Sequence, residues 1–212
     1  MRYYPISLNI QGKRCVVVGG GSVALRKVKM LLECGAKVSV ISPTLDPDLA
    51  ELFEEKSIDV IQRNYERGDL KGAAVVVSAT DTKEINHKVA EEAKRAGALV
   101  NVADDPEPSD FIVPSFLRRG DLTIAVSTGG KSPAIARKVR MRLEEDFGQE
   151  YATLLSLTED VRATLKKNGT HVDSEAWQEA LDLDLLVQLV KAGQHEEVKT
   201  LLLDKFNSKI DI

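Results

Sequence analysis

The sequence predicts an α/β protein: a doubly wound parallel sheet in the N-terminal half, then a β-hairpin/helix segment, then a C-terminal helical domain. Three observations predict it. Short β-branched runs alternate with stretches of helical apolar spacing as far as residue 102, the alternation that βαβ units require. Residues 73–79 (AAVVVSA) are almost continuously apolar, as a strand buried on both faces of a parallel sheet must be. Beyond Gly129, Gly130 and Pro133 the whole remaining chain has helical character.

Residues 14–18 (RCVVV) form the first strand and run into Gly19-Gly20-Gly21. A helix over 22–33 follows, carrying Val23, Leu25, Val28, Leu31 and Leu32 on helical spacing and closed by Gly35. Residues 37–41 (KVSVI) make a second strand, ended by Ser42 and Pro43, which completes one βαβ unit. A helix over 48–56 and a short strand over 58–61 precede the central strand 73–79. A helix over 82–96, stopped by Gly97, leads into a strand over 98–102. The apolar runs 111–117 and 122–127, separated by Arg118, Arg119, Gly120 and Asp121, read as a hairpin. Helices are expected over 133–146, 149–167, 174–192 and 194–206, with breaks at Gly148, Asn168-Gly169 and Gly193.

Composition removes several classes of function. With a net charge of −4 over 212 residues, the chain is not built to neutralise a phosphate backbone, so no nucleic-acid partner is expected. No stretch reaches the roughly 18 apolar residues of a membrane span, and the N-terminus has no apolar signal core. A cytoplasmic location without membrane contact is the expectation. The two cysteines, Cys15 and Cys34, read as buried apolar thiols. His87, His171 and His195 lack metal-ligand spacing, so no metal ligand is assigned. Charge is uneven: residues 118–142 hold seven basic residues against one acid, a net of +6, whereas 143–212 hold seven against 15, a net of −8. The cationic segment suits an anionic substrate, or else forms a solvated face offset by the acidic tail.

Gly19-Gly20-Gly21-Ser22-Val23-Ala24 fits G-x-G-x-x-G/A in its proper setting, after a strand and opening a helix. Gly19 permits the tight turn, Gly21 lets a pyrophosphate approach the backbone, and Ala24 takes the close-packing position. This is the signature of a Rossmann dinucleotide-binding domain, whose anion is held by free N–H groups at the helix start. The acid that often holds the adenosine ribose about 20 residues later is missing. The second strand ends in Ser42, Pro43 and Thr44, and the nearest acid is Asp46. NAD is preferred over NADP as the cofactor. Ligands lie beyond the carboxyl ends of such strands, where Thr80, Asn101 and the acids Asp81, Asp104 and Asp105 fall. A carboxylate there can take a proton while hydride leaves, although aspartates at strand ends also shape turns. The loop 127–133 (STGGKSP) opens a helix, and its N–H groups with Lys131 suit a carboxylate or phosphate. It lacks the upstream glycine of a nucleoside-triphosphate loop.

The segments VVVGGGSVALRKV, SATD, NVADDP, DFIVPS and VSTGGKSPAIARKVR occur in that order. Together they resemble the precorrin-2 dehydrogenases and the N-terminal module of siroheme synthases, over about residues 1–145. The resemblance implies that NAD takes a hydride from precorrin-2, giving sirohydrochlorin, and that the protein is a homodimer. It implies an NAD-binding domain over 1–113, a dimerisation region over 114–147 and a helical domain over 148–212. Gly21, Ser22 and Val23 match the family's cofactor turn, Pro43 and Thr44 its second cofactor segment, and Asp104 its proposed catalytic aspartate. Gly19, Thr80 and Asn101 complete the expected cofactor set. Ser127, Thr128, Lys131 and Arg137 are the expected substrate-binding residues, and Thr128 stands where some members carry a phosphorylated serine. Some members also insert ferrous iron into sirohydrochlorin, with the same aspartate serving both steps. Two other readings share the fold: a Rossmann redox or ligand sensor whose helical tail contacts a partner, and a dehydrogenase of a small metabolite.

Overall fold

A computed structural model describes residues 3–207, in two compact units that divide after Val113. The first contains β1 (Arg14–Val18), α1 (Ser22–Glu33), β2 (Lys37–Ile41), α2 (Pro47–Glu54), β3 (Asp59–Ile61), β4 (Val75–Ser78), α3 (Lys83–Arg95) and β5 (Leu99–Val102). Its five strands are parallel, in the order β3-β2-β1-β4-β5. This is the doubly wound α/β sheet that the sequence predicts, with element ends shifted by a residue or two. Strand order reverses between β1 and β4, which opens the crevice where such folds bind ligands.

Both faces of the sheet are covered, which is why its strands read as unbroken apolar runs. On one face Cys15, Val17, Val38, Val40, Val75 and Val77 pack with Ala24 and Val28 of α1 and Leu49 of α2. On the other, Val16, Val18, Ile41, Val76, Val100 and Val102 meet Val89, Ala90 and Ala93 of α3. Cys15 is buried as expected, and its thiol pKa is raised chiefly by that burial. Cys34 is exposed, contrary to expectation. It caps α1 one residue before Gly35 turns the chain at φ +71°, past the stripe that Ala24 and Val28 bury.

No helix joins β3 to β4. Fully buried Leu70 fills that place in the core beneath the connecting loop. The loop is held by Glu92 of α3, whose carboxylate accepts from the Tyr65 hydroxyl at 2.6 Å and from the backbone N–H groups of Gly68 and Leu70 at 3.0 and 3.1 Å. Burial alone would raise the Glu92 pKa, but these three donors hold it below its ordinary 4.5. A depressed carboxylate stabilises the fold above that ordinary value and loses its contribution as pH falls through the folded value. Glu92→Gln leaves a donor facing backbone N–H groups. The variant is expected to lose about 1 kcal/mol at neutral pH, since the site is partly solvated. Denaturant titrations at several pH values should show the gap between variant and wild type closing as pH falls below 4.5.

The second unit contains β6 (Ser115–Arg119), β7 (Leu122–Val126), α4 (Pro133–Asp146), α5 (Glu150–Lys167), α6 (Ser174–Ala180), α7 (Leu183–Lys191) and α8 (His195–Asn207). The hairpin is present but shifted from its expected place. Arg118 and Arg119 belong to β6, opposite Thr123 and Leu122, and only Gly120 and Asp121 form the turn. Gly120 takes φ +57°, the left-handed conformation that a two-residue hairpin loop demands. Residues 111–114 stay outside the strand, ending in Pro114, which has no N–H to give a ladder. The helix expected over 174–192 is two helices. Asp182 breaks it, its carboxylate accepting from Leu185 N–H at 3.2 Å to cap α7. Helices α5 to α8 enclose their own core of Leu154, Leu157, Val161, Leu186, Leu202 and Phe206, with Trp177 tilted against Phe206 at 4.5 Å. Among the described residues no helix is long and apolar enough to cross a membrane.

Candidate active site

The glycine turn joins β1 to α1 at the carboxyl end of the sheet. Gly19 adopts φ +122°, and a Cβ there would stand 2.2 Å from the Ala79 carbonyl oxygen. Gly20 is confined from the other side, where a Cβ would meet the Thr44 carbonyl oxygen at 2.0 Å and Ser42 Oγ at 2.6 Å. Around Gly21 a Cβ would find open space. The first two glycines therefore serve contacts within the protein, and the third leaves room for a ligand. Gly21 caps α1 without a side-chain hydrogen bond, and no acid lies in the first turn. The N–H groups of Ser22 and Val23 are thus positioned for an anion. Ala24 is fully buried against β1, the close-packing role expected of it.

Pro43 and Thr44 lie exposed beyond β2. Ser42 Oγ donates to the Thr44 carbonyl at 2.7 Å, and Asp46 N–H donates to the Gly20 carbonyl at 2.7 Å. This ties the second segment to the glycine turn. Asp46 caps α2 by accepting from Asp48 N–H at 3.1 Å, so it is used locally.

On the other side, Ala79 N–H donates to the Val18 carbonyl and Ala103 N–H to the Ser78 carbonyl, both at 2.8 Å. These bonds place the β4 loop between the glycine turn and the end of β5. The Thr80 hydroxyl is engaged by Asn86 Oδ1 at 2.7 Å. Asn101 is buried, and its amide nitrogen donates to the Phe111 carbonyl at 3.0 Å. The segment after β5 folds back along that edge. Ser109 Oγ accepts from Val102 N–H and donates to the Asp105 carbonyl, while an Asp110 carboxylate oxygen accepts from Val100 N–H at 3.0 Å.

This edge fixes the turn of residues 102–105, closed by Asp105 N–H donating to the Val102 carbonyl at 3.3 Å. Asp104 stands at its tip, exposed, with φ +59°. A left-handed conformation is uncommon for a residue with a Cβ, though aspartate tolerates it best alongside asparagine. Asp105 instead accepts from Glu107 N–H, a turn-shaping role. Half-buried Lys27 of α1 is within electrostatic reach of Asp104. Burial lowers its pKa, Arg26 adds to that effect, and Asp104 opposes it. Lys27 and Gly20 were not candidates from sequence. The signal for Lys27 is its place one helical turn after Val23, and for Gly20 its place as the middle, extra glycine of three in a motif that needs two.

The structure thus brings Gly19, Gly21, Ser22, Val23, Pro43, Thr44, Thr80, Asn101 and Asp104 to the carboxyl ends of the first unit's strands. Ser127, Thr128, Lys131 and Arg137 lie in the second unit, at the loop that opens α4. There Ser127 Oγ accepts from Gly129 N–H at 3.2 Å and Thr128 Oγ1 from Ser132 N–H at 3.0 Å. Ser132 caps α4 by accepting from Ile135 N–H. Lys131 and Arg137 are exposed.

Residues 6–115 match a family model described as "Putative NAD(P)-binding". The chain belongs to that NAD(P)-binding family. The following residues, 119–145, match a second model, the central region of sirohaem biosynthesis proteins. Among curated relatives, the chain is 36% identical over its full length to siroheme synthase 1 of Aeromonas salmonicida (strain A449), covering 47% of that protein. It is 39% identical over 94% of its length to a siroheme synthase of Nitrosococcus oceani, covering 43% of it. The chain therefore spans less than half the length of these relatives. Among solved structures it resembles "SirC, precorrin-2 dehydrogenase", with a TM-score of 0.76 and 25% identity over 93% of this chain and 100% of that one. The resemblance read from the ordered motifs is confirmed, and the cofactor class of the NAD(P)-binding unit is a nicotinamide dinucleotide.

Proposed function

We propose that this chain oxidises precorrin-2 to sirohydrochlorin with NAD, a step of siroheme or cobalamin-type tetrapyrrole synthesis, in the cytoplasm. The observation that carries this reading is an open nucleotide turn at Gly21 beyond β1 together with a carboxylate, Asp104, at the tip of the turn after β5, both at the carboxyl ends of the same sheet. The end-to-end likeness to a precorrin-2 dehydrogenase supports it. Oxidation removes a hydride and a proton from the tetrapyrrole. NAD, when bound, accepts the hydride. Gly21, Ser22 and Val23 would hold its pyrophosphate in the turn that Gly19 shapes, Pro43 and Thr44 would face its ribose, and Thr80 and Asn101 would shape the wall beside it. Asp104 receives the proton, and no hydrogen bond within the described residues competes for its carboxylate. Ser127, Thr128, Lys131 and Arg137 bind the substrate's carboxylates, which accounts for the net +6 of residues 118–142. Residues 114–147 form the dimerisation region, supported by Ile135, Val139 and Met141, which α4 leaves exposed. The domain limits 1–113, 114–147 and 148–212 belong to this reading.

The preference for NAD rests on charge. From Ser42 to Glu55 the chain carries five acids and no Lys or Arg, and Lys29 is paired with Asp48 at 3.0 Å. A 2′-phosphate beyond β2 would face these acids, so NAD is expected to bind about tenfold or more tighter than NADP. The deciding experiment is anaerobic turnover of enzymatically generated precorrin-2 with each cofactor, followed by absorbance. Ferrous iron is added once the first phase ends. Sirohydrochlorin formation with NAD supports the reading, and an enzyme-dependent second phase adds iron insertion. No oxidation by folded protein that binds NADH would overturn it.

A further inference from the structure

Asn86 lies in the first turn of α3, outside the glycine turn and every motif singled out in the sequence. Its side chain makes four hydrogen bonds, all to Ser78 and Thr80 where β4 ends. Oδ1 accepts from Ser78 Oγ at 2.8 Å, from Thr80 Oγ1 at 2.7 Å and from Thr80 N–H at 3.3 Å. Nδ2 donates to the Thr80 carbonyl at 2.9 Å. The Thr80 N–H can only donate and its carbonyl can only accept, so the two fix which way the amide points. Ser78 is fully buried, and an unpaired hydroxyl there carries a desolvation penalty. The Thr80 hydroxyl, after donating to Asn86, accepts from Thr82 N–H at 3.3 Å, which leaves it no proton for a ligand. The same loop carries the Ala79 carbonyl that crowds Gly19. Asn86 is thus linked through Ala79 to the first glycine of the nucleotide turn.

We propose that Asn86 is a positioning residue for the nicotinamide dinucleotide, clamping residues 78–80 so that the Ala79 carbonyl backs Gly19 and sets the shape of the turn. The proposal rests on the nucleotide-binding reading alone. Binding of NADH involves no tetrapyrrole, so failure of precorrin-2 oxidation leaves it standing.

The test is NADH affinity of the full chain, measured by fluorescence from pH 5 to 8.5, alongside thermal midpoints. Asn86→Ala is expected to weaken NADH about tenfold in protein that remains folded. Asn86→Asp gives the sharper result. Its carboxylate is ionised over this range: one oxygen keeps the three donors, and the other sets an acceptor against the Thr80 carbonyl at the position where the amide donates. Its NADH affinity should therefore lie about tenfold below wild type from pH 5 to 8.5. The wild-type protein at each pH serves as the reference. A side chain that only stabilised α3 would move the midpoints and leave NADH affinity unchanged. Wild-type NADH affinity in folded Asn86→Ala or in folded Asn86→Asp would overturn the proposal.

Discussion

Asp104→Asn is expected to reduce precorrin-2 oxidation by about 10²- to 10⁴-fold, the usual contribution of a positioned general base, while NADH affinity and thermal midpoint stay near wild type. Asparagine is the informative replacement, because Asp104 sits at φ +59°. Alanine there would add a backbone cost of about 1–2 kcal/mol and confuse loss of a proton acceptor with distortion of the turn. Asparagine tolerates the left-handed conformation equally well and removes only the basicity. Asp104→Gly supplies the complementary control, since it relaxes the backbone and deletes the carboxylate together. Both variants should therefore lose turnover to a similar extent. Turnover of Asp104→Asn within about threefold of wild type would remove this carboxylate from the proton transfer. Another group would then have to take the role.

What the sequence made legible follows the physics of each signal. The parallel sheet was readable because double-sided burial forces apolar runs, and β1 and β4 carry such runs. The nucleotide turn was readable because only glycine satisfies φ +122° at Gly19. The hairpin was misplaced because Arg118 and Arg119 look like turn residues, whereas Gly120 lets the chain reverse in two residues and keeps both arginines in β6. The break at Asp182 was hidden by continuous helical apolar spacing on either side, although aspartate three residues before Leu185 is a capping signal. Asn86 was invisible for a different reason. An asparagine in a helix gives no periodic or motif signal, and its importance lies in partners eight and six residues earlier that only the folded loop brings to it.

The contrast between Gly20→Ala and Gly21→Ala carries the second large effect. At Gly20 the added methyl would stand 2.0 Å from the Thr44 carbonyl oxygen. That carbonyl cannot simply retreat, because it accepts the Ser42 hydroxyl at 2.7 Å, while Asp46 N–H binds the Gly20 carbonyl itself. Overpacking of this kind costs about 1–3 kcal/mol or more. Gly20→Ala is therefore expected to unfold the first unit at markedly lower denaturant and to weaken NADH at least tenfold. Because the chain has two compact units, the transition should be followed with a probe of the first. At Gly21 the methyl meets no protein atom within 4 Å, and φ −88° with ψ −174° suits alanine. The expected stability loss is about 1 kcal/mol or less, the cost of a poorer helix cap. The methyl would, however, occupy the space through which a pyrophosphate reaches the α1 N–H groups, so NADH affinity should fall as far as in Gly20→Ala. A Gly21→Ala protein that binds NADH like wild type would place the dinucleotide elsewhere, and the geometry of Gly19 and Gly20 would then be a feature of folding alone.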